Sequence, residues 1–330
     1  MNEGTSLISV IIPCYNNAHF LGEAIESALC QTYQHVEVIV VDDGSPDNAA
    51  EVAARYERVH CIRQANRGIA EARNTGIKES RGEYLVFLDA DDRLLPHALE
   101  VHLGCFKSYP ECVLICGHRT LIAEDGSPLP AVQWPCTDSD HYLHLLRHCY
   151  IGPPAAVMYR REIFDRVGLF DQSIAPSADW DMYMRIARSH PIRCHHQVVA
   201  EYRIHEMNMS RKIGSMFIST LNTLQKQWGY VKSDPQLQEA YRSGQKGLRE
   251  FYGELLINKL RLEVRSGDWK NATASLAVLC RRYPGGVIKH GFRKLRCFLR
   301  GEREASDDLS VDVFLVSTES SRKAESHNGE

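Results

Sequence analysis

The chain has 330 residues, of which 44% are hydrophobic and 25% charged, and a formal net charge of −3. That length holds one large domain with an appendage, or two domains, and the composition is that of a globular protein. The charge gives no global reason to expect a nucleic-acid partner. No run of about 20 apolar residues predicts a spanning helix, and the short polar start, Met1 to Ser6, does not read as a signal sequence. The eleven scattered cysteines, an odd number, fit reduced thiols in a cytoplasmic setting.

Leu7 to Pro13 predicts a first strand, followed by a helix from about His19 to Gln31 with Leu21, Ile25, Ala28 and Leu29 at helical spacing. Val36 to Val41 predicts a second strand ending in Asp42-Asp43-Gly44-Ser45-Pro46-Asp47. There Gly44 permits a tight turn, and Asp47 can cap the helix that begins at Asn48. Val59 to Arg63 is a short third strand, and Gly68 to Ser80 a helix. Tyr84 to Leu88 is a fourth strand, which runs into Asp89-Ala90-Asp91-Asp92. Pro96 to Tyr109 reads as a helix and Cys112 to Gly117 as a fifth strand. Strand–helix alternation with short connections predicts a parallel sheet covered by helices.

Past Gly117 the pattern loosens. Asp125-Gly126 marks a turn, Ala155 to Tyr159 an extended run, and Arg161 to Val167 and Asp179 to His190 two helices. Beyond Arg211 the chain reads as helices over 216–229, 236–266 and 269–283, with Ser266-Gly267-Asp268 as the turn of a helical hairpin. Cys112 and Cys116 are expected to pack in the core. Cys194-His195-His196 lacks a second ligand pair at zinc spacing and is expected to be structural. His141, His144 and His148 are expected on a helix surface.

The chemistry gathers at two strand ends. Ligands of such sheets bind outside the carboxyl ends of the strands. Five carboxylates there, Asp42, Asp43, Asp89, Asp91 and Asp92, would repel one another unless a cation or hydrogen-bond donors offset them. Hard oxygen ligands suit Mg²⁺ or Mn²⁺, and a divalent ion with a nucleotide diphosphate is the natural complement.

The motifs Ile11-Ile12-Pro13-Cys14-Tyr15-Asn16, Asp42-Asp43-Gly44-Ser45-x-Asp47, Asn66-x-Gly68-x-x-x-Ala72-Arg73-Asn74-x-Gly76-Ile77 and Leu88-Asp89-Ala90-Asp91-Asp92 occur in this order. With the later Arg161-Glu162-x-Phe164-x-x-Val167-Gly168-x-Phe170-Asp171, they resemble family-2 glycosyltransferases of the GT-A fold over roughly residues 6 to 211. The resemblance implies an α/β, Rossmann-like, mostly parallel sheet flanked by helices, with a C-terminal helical appendage. It divides the chain into a nucleotide-sugar-binding domain over 1–211, a helical region over 212–317 and a disordered polar tail over 318–330.

The resemblance also implies roles. Pro13 and Tyr15 would line the nucleotide pocket, and Asp43 would accept the imide N–H of a uracil or thymine base, which suits a UDP-sugar among others. Arg73 would stand near the nucleotide, unless it is a solvated helix charge. Asp89 would contact ribose or water around the metal, while Asp91 or Asp92 would ligate Mn²⁺ or Mg²⁺. Asp179, in Ser177-Ala178-Asp179-Trp180-Asp181, would be the base that activates the acceptor hydroxyl in an inverting transfer. It could also be a helix N-cap. Ala178 departs from the family, where glutamate is common. His205, in Tyr202-Arg203-Ile204-His205-x-x-Asn208, could approach the metal or be a packing residue.

Residues 281–303 hold eight Lys or Arg and one acidic residue, Glu302. With Ile288, Phe292, Leu295 and Leu299 on one face, the segment could lie on an anionic membrane or pack with its charges solvated. A membrane-peripheral place at the inner face would suit a glycan or lipid-linked acceptor in cell-surface assembly. The rival classes are a nucleotidyltransferase, a metal-binding signalling module and a catalytically silent relative. A nucleotidyltransferase should carry a glycine-rich loop after the first strand, where this chain has Pro13-Cys14-Tyr15-Asn16-Asn17.

Overall fold

The computed structural model describes residues 6–130 and 136–290. The basic segment from residue 291 onward and the tail expected to be disordered lie outside the described residues. The chain separates into two compact units: residues 1–130 with 136–247, and residues 131–135 with 248–330.

The first unit is built on one eight-stranded sheet in the order β3-β2-β1-β4-β7-β6-β8-β5. Strand β1 is Ile8–Cys14, β2 is Val36–Asp42, β3 is Val59–Arg63 and β4 is Tyr84–Phe87. These four pair in parallel, as the alternation predicts. Side chains of successive strand residues face opposite ways. On one face Ile8, Val10, Ile12, Val38 and Val40 pack with Leu21 and Ile25 of helix α1, Ala18–Leu29. On the other, Ile39 and Val41 meet Ala72 of helix α3, Ile69–Glu79. Helices on both faces are why the strands read as unbroken apolar runs. The short helix α2, Ala49–Ala53, completes the first face. Asp47 caps more than the expected helix: Oδ1 accepts from Ala49 N at 3.3 Å and Oδ2 from Ala18 N at 2.9 Å.

The rest of the sheet departs from simple alternation. Strand β5, Arg93–Leu94, leads to helix α4, Ala98–Ser108, and β6 spans Leu114–Ile122. After helix α5, His141–Arg147, strand β7, Val157–Arg160, inserts antiparallel between β4 and β6. Helices α6, Ile163–Val167, and α7, Ala178–Ala187, precede β8, Ile192–Arg203, which runs parallel to β6 and antiparallel to β5. No strand is expected over 192–203, because its His-His-Gln centre sits at register shifts and breaks the alternation. His141, His144 and His148 are not simply helix surface: their rings surround Tyr150 at 6.1, 6.4 and 6.4 Å. Helices α8, Ile213–Lys226, and α9, Trp228–Val231, belong to this unit, as do the first residues of α10, Pro235–Ser266.

The second unit contains the remainder of α10 and helix α11, Trp269–Arg282, joined by the expected hairpin turn. Gly267 takes φ +77°, and Asp268 caps α11 by accepting from Asn271 N at 3.2 Å. The Tyr283 ring lies against Gly253, and its hydroxyl donates to Glu254 at 3.1 Å. Among the described residues no helix is long and apolar enough to cross a membrane.

Packing of α3 onto β1 depends on Gly76, where an added Cβ would stand 2.2 Å from Ile11 Cγ2. Gly76→Ala is expected to cost about 1–3 kcal/mol in urea unfolding, because the β-branched Ile11 cannot swing clear. Gly104→Ala, on α4 with nothing within 4 Å, is expected to be neutral or to stabilise by about 0.4–1 kcal/mol.

Candidate active site

Strands β1, β2 and β4 end side by side, and each end is shaped for a different task. At β1, Pro13 is buried in the ladder opposite Val41. Tyr15 follows with half its surface exposed, so its ring offers an open face. Asn16 takes φ 56°, a left-handed value asparagine tolerates, and its N–H donates to Ser45 Oγ at 3.1 Å. Burial pushes the adjacent Cys14 thiol up to about 12, which makes it a poor nucleophile at neutral pH.

At β2 the two aspartates divide. Asp42 is buried, and its Oδ1 accepts from Ser45 N at 2.8 Å, closing the turn. Asp43 points to the loop after β3, where Oδ1 accepts from Gln64 Nε2 at 2.8 Å and Arg67 N at 2.9 Å, and Oδ2 from Gly68 N at 2.7 Å. An ionised carboxylate has about four acceptor sites, so three donors leave room for one more. Gly44 makes this approach possible: it takes φ +72°, and a Cβ there would lie 2.9 Å from Asn66 N.

Past β4 the three aspartates also part. Asp89 pairs with Arg73 of α3, Nη2 to Oδ1 at 2.8 Å, with 23% of the Asp89 side chain exposed and only 4% of Arg73. Arg73 is therefore a buried charge and not a solvated helix residue. Its guanidinium also lies over Phe170, 5.6 Å from the ring centre. Asp91 turns its Oδ2 to His205 Nε2 at 2.8 Å, and Asn208 Nδ2 lies 3.4 Å away. His205 is itself buried beside Phe20. Asp92 faces inward: Oδ1 accepts from Arg203 N at 2.9 Å, and Oδ2 finds no hydrogen-bond partner among the described residues. Burial, then Asp91 and Asp89, push its carboxyl well above the usual range. Of the two aspartates expected to hold metal, Asp91 is the one placed at the open side.

Asp179 joins this group from far along the chain. Ser177 is the N-cap of α7, and Asp179 lies in its first turn, so it is not the cap. Burial raises its carboxyl above the usual range, Arg73 pulls it back, and Asp89 adds to the rise. Burial works against the Arg73 charge in turn, but Asp89 and Asp179 outweigh it and raise its pKa. Asp43, by contrast, stands past the end of β2, one strand beyond β1 from β4, and serves the loop after β3.

Several supports escaped the sequence reading. Arg203 is 1% exposed; it donates Nε to Asp91 O at 2.8 Å, Nη1 to Glu124 O at 2.7 Å and Nη2 to Glu23 Oε2 at 2.6 Å. Asn74 holds Phe170 twice, donating to its carbonyl and accepting from its N–H, both at 2.9 Å. Asp181, fully buried, is matched by Arg185 and by Lys226 of α8, each at 2.8 Å, and Lys226 also reaches Asp171 at 2.8 Å. Ser177 Oγ meets Ser219 and Thr223 of α8 at 2.6 and 2.8 Å. The signal for these was faint: polar residues inside predicted helices and strands.

Asp91 and the partly exposed Asp89 offer hard oxygens and His205 an imidazole nitrogen, donor types that suit Mn²⁺, but as they stand their ligand atoms do not gather within 4.8 Å of one another.

Residues 9–168 match the family described as Glycosyl transferase family 2. A relative from Rickettsia typhi, described as an uncharacterized glycosyltransferase, is 31% identical over 211 residues, 62% of this chain and 66% of that one. Chondroitin synthase of Escherichia coli is 30% identical over 213 residues, 62% of this chain and 30% of that one. The chain thus spans less than two thirds of these relatives' lengths. Staphylococcus aureus TarS 1–349, solved with UDP-GlcNAc, superposes with a TM-score of 0.54 at 15% identity, covering 91% of this chain and 93% of that one. The mannosyltransferase PcManGT of Pyrobaculum calidifontis, solved with GDP-Man and Mn²⁺, gives 0.54 at 16% identity, covering 84% and 86%. Both share the fold.

If Asp91 is the principal ligand, Asp91→Asn weakens Mn²⁺ binding in the presence of a nucleoside diphosphate by at least about tenfold. Asp92→Asn keeps the acceptor for Arg203 and leaves the affinity within about twofold. Titration followed by electron paramagnetic resonance of free Mn²⁺ reads both, and equal losses would reverse the assignment.

Proposed function

The chain belongs to glycosyltransferase family 2 through residues 9–168, and from that membership we propose that it transfers a sugar from a nucleotide-diphosphate sugar to an acceptor hydroxyl with inversion. The observation that carries this reading is the Arg73 cation, which pairs with Asp89 past the end of β4 at 2.8 Å and feels the charge of Asp179 at the start of α7. A base is thereby held beside the strand ends where a donor would lie.

Each residue has a part in the proposal. The remaining acceptor position of Asp43 meets the imide N–H of uracil, and Tyr15 presents its ring beside it. A UDP-sugar is therefore the proposed donor; TarS, solved with UDP-GlcNAc, supports it by fold. Asp89 contacts the ribose while Arg73 fixes its orientation. Asp91 and His205 would hold Mn²⁺ or Mg²⁺, which when bound supplies positive charge toward a diphosphate leaving group. Asp179 takes the proton from the acceptor hydroxyl as that oxygen attacks the anomeric carbon from the face opposite the leaving group. Its raised affinity for a proton makes it a stronger base than an exposed aspartate. The phenols of Tyr159 and Tyr183, whose own pKa values are raised by burial first and also by Asp179, line its surroundings.

The proposed acceptor is a glycan or lipid-linked sugar, which the relative named chondroitin synthase supports. The proposed setting is cytoplasmic, at the inner face of the membrane through residues 281–303. In the described part Arg281, Arg282 and Lys289 accompany Ile288, which is 58% exposed.

A screen for release of nucleoside diphosphate from common nucleotide sugars tests the activity; failure of every donor, with no binding by thermal shift, sinks it. Asp179→Asn is expected to cut turnover by about 10²–10⁴ while donor affinity holds. Because only the ionised base accepts a proton and burial raises its pKa, the wild-type rate falls as pH drops through a limb above the ordinary aspartate value of about 3.9. A limb at or below that value removes Asp179 from the role. The membrane proposal expects salt-sensitive flotation with anionic liposomes, and none with neutral ones; absence of flotation on both refutes it.

A further inference from the structure

Strands β6 and β8 carry a second cluster that the transfer reaction does not use. Along one face of the pair, Cys116 and His118 alternate on β6, and Cys194 and His196 on β8. Cys116 and Cys194 are register partners with sulfurs 2.8 Å apart. His118 Nε2 lies 3.5 Å from His196 Nδ1. Cys136, from the segment before α5, reaches the same place, and its thiol hydrogen-bonds to Cys194. One donor atom each from His118, Cys136 and His196 falls within 4.8 Å of the others.

The opposite face of the same strands holds the contrasting arrangement. At Gly117 a Cβ would stand 2.4 Å from His195 Cε1, so the missing side chain admits that ring. His195 Nε2 then meets His102 Nδ1 at 3.2 Å, a packed pair of imidazoles. His118 and His196 are instead partly open to solvent, next to thiols.

We propose that His118, Cys136 and His196 bind a divalent ion of the zinc class, with Cys194, whose thiol hydrogen-bonds Cys136 but lies outside that 4.8 Å group, moving in as the fourth ligand. Zinc bonds of about 2.0–2.3 Å place tetrahedral ligand atoms roughly 3.3–3.8 Å apart, so the three need to close by only about 1 Å. Sulfur and imidazole donors select zinc over the Mg²⁺ or Mn²⁺ suited to the carboxylate site. Binding would replace protons on the Cys136 and Cys194 thiols with metal bonds. The ion would staple the Cys136 segment to two strands. The described cysteines are all free, so thiols are available for it. Because the ligands come from three separate segments, zinc spacing along the chain does not reveal them.

The test uses the full chain, purified without chelator, with metal content read by mass spectrometry and the Co²⁺-substituted protein read by absorption. The expected result is zinc retained through dialysis and, with Co²⁺, a near-ultraviolet sulfur-to-metal charge-transfer band. Cys136→Ser and His196→Ala each weaken retention at least tenfold, while Asp91→Asn keeps both metal and band. Should Cys136→Ser fail to fold, Cys136→His preserves four donors and is expected to retain the ion. The proposal is overturned if no zinc binds and no band forms. A band that survives both Cys136→Ser and His196→Ala also overturns it, as does a Cys136–Cys194 disulfide in place of bound metal.

Discussion

One buried guanidinium organises the site. Arg73 is almost wholly removed from water, a transfer that costs several kcal/mol unless partners offset it. Asp89 offsets it by direct contact and Asp179 through the electrostatic field. The Arg73–Asp89 pair joins α3 to the end of β4, and the Asp179 charge at the start of α7, distant in the chain, favours the same cation. The Phe87, Phe164 and Phe170 rings pack with centres 5.0–6.0 Å apart, and the Arg73 guanidinium lies over the last of them.

The acidic residues are sorted by direction. Asp42, Asp92 and Asp181 are buried and serve the backbone or cations, Asp43 is buried against the loop after β3, and Asp89 and Asp91 keep part of their side chains exposed. Neighbours in sequence take opposite roles, because successive residues past a strand end or in a helix turn leave the backbone in different directions. Arg203 shows the same economy: its guanidinium reaches Asp91 O, Glu124 O and Glu23 at once, and fixes the loop whose side chains remain available for chemistry.

Much of this was legible in the sequence, for identifiable reasons. The first four strands and their helices have continuous apolar runs and clear helical spacing, because both faces of the sheet are covered. The strand-end location of Asp43, Asp89 and Asp91 follows from the same pattern. The antiparallel insertion of β7 was not legible, since hydrophobic periodicity carries no strand direction. Strand β8 was hidden by Cys194-His195-His196-Gln197, where register shifts interrupt alternation. The inward turn of Asp92 was equally hidden, because its partner is the backbone N–H of Arg203, and any residue could supply that group. For Asp179, sequence left base and N-cap both open, and the placement of Ser177 as the cap removes only the second.

Lys226 has an implication for dissecting the molecule. This one ammonium group on α8 lies 2.8 Å from both Asp171 and the fully buried Asp181, and α8 hydroxyls close over Ser177. A fragment ending where the recognisable motifs stop would leave Asp181 with Arg185 alone and remove the hydroxyls that meet Ser177. The smallest piece that keeps these contacts therefore extends through α8, whose own sequence bears none of the family's motifs.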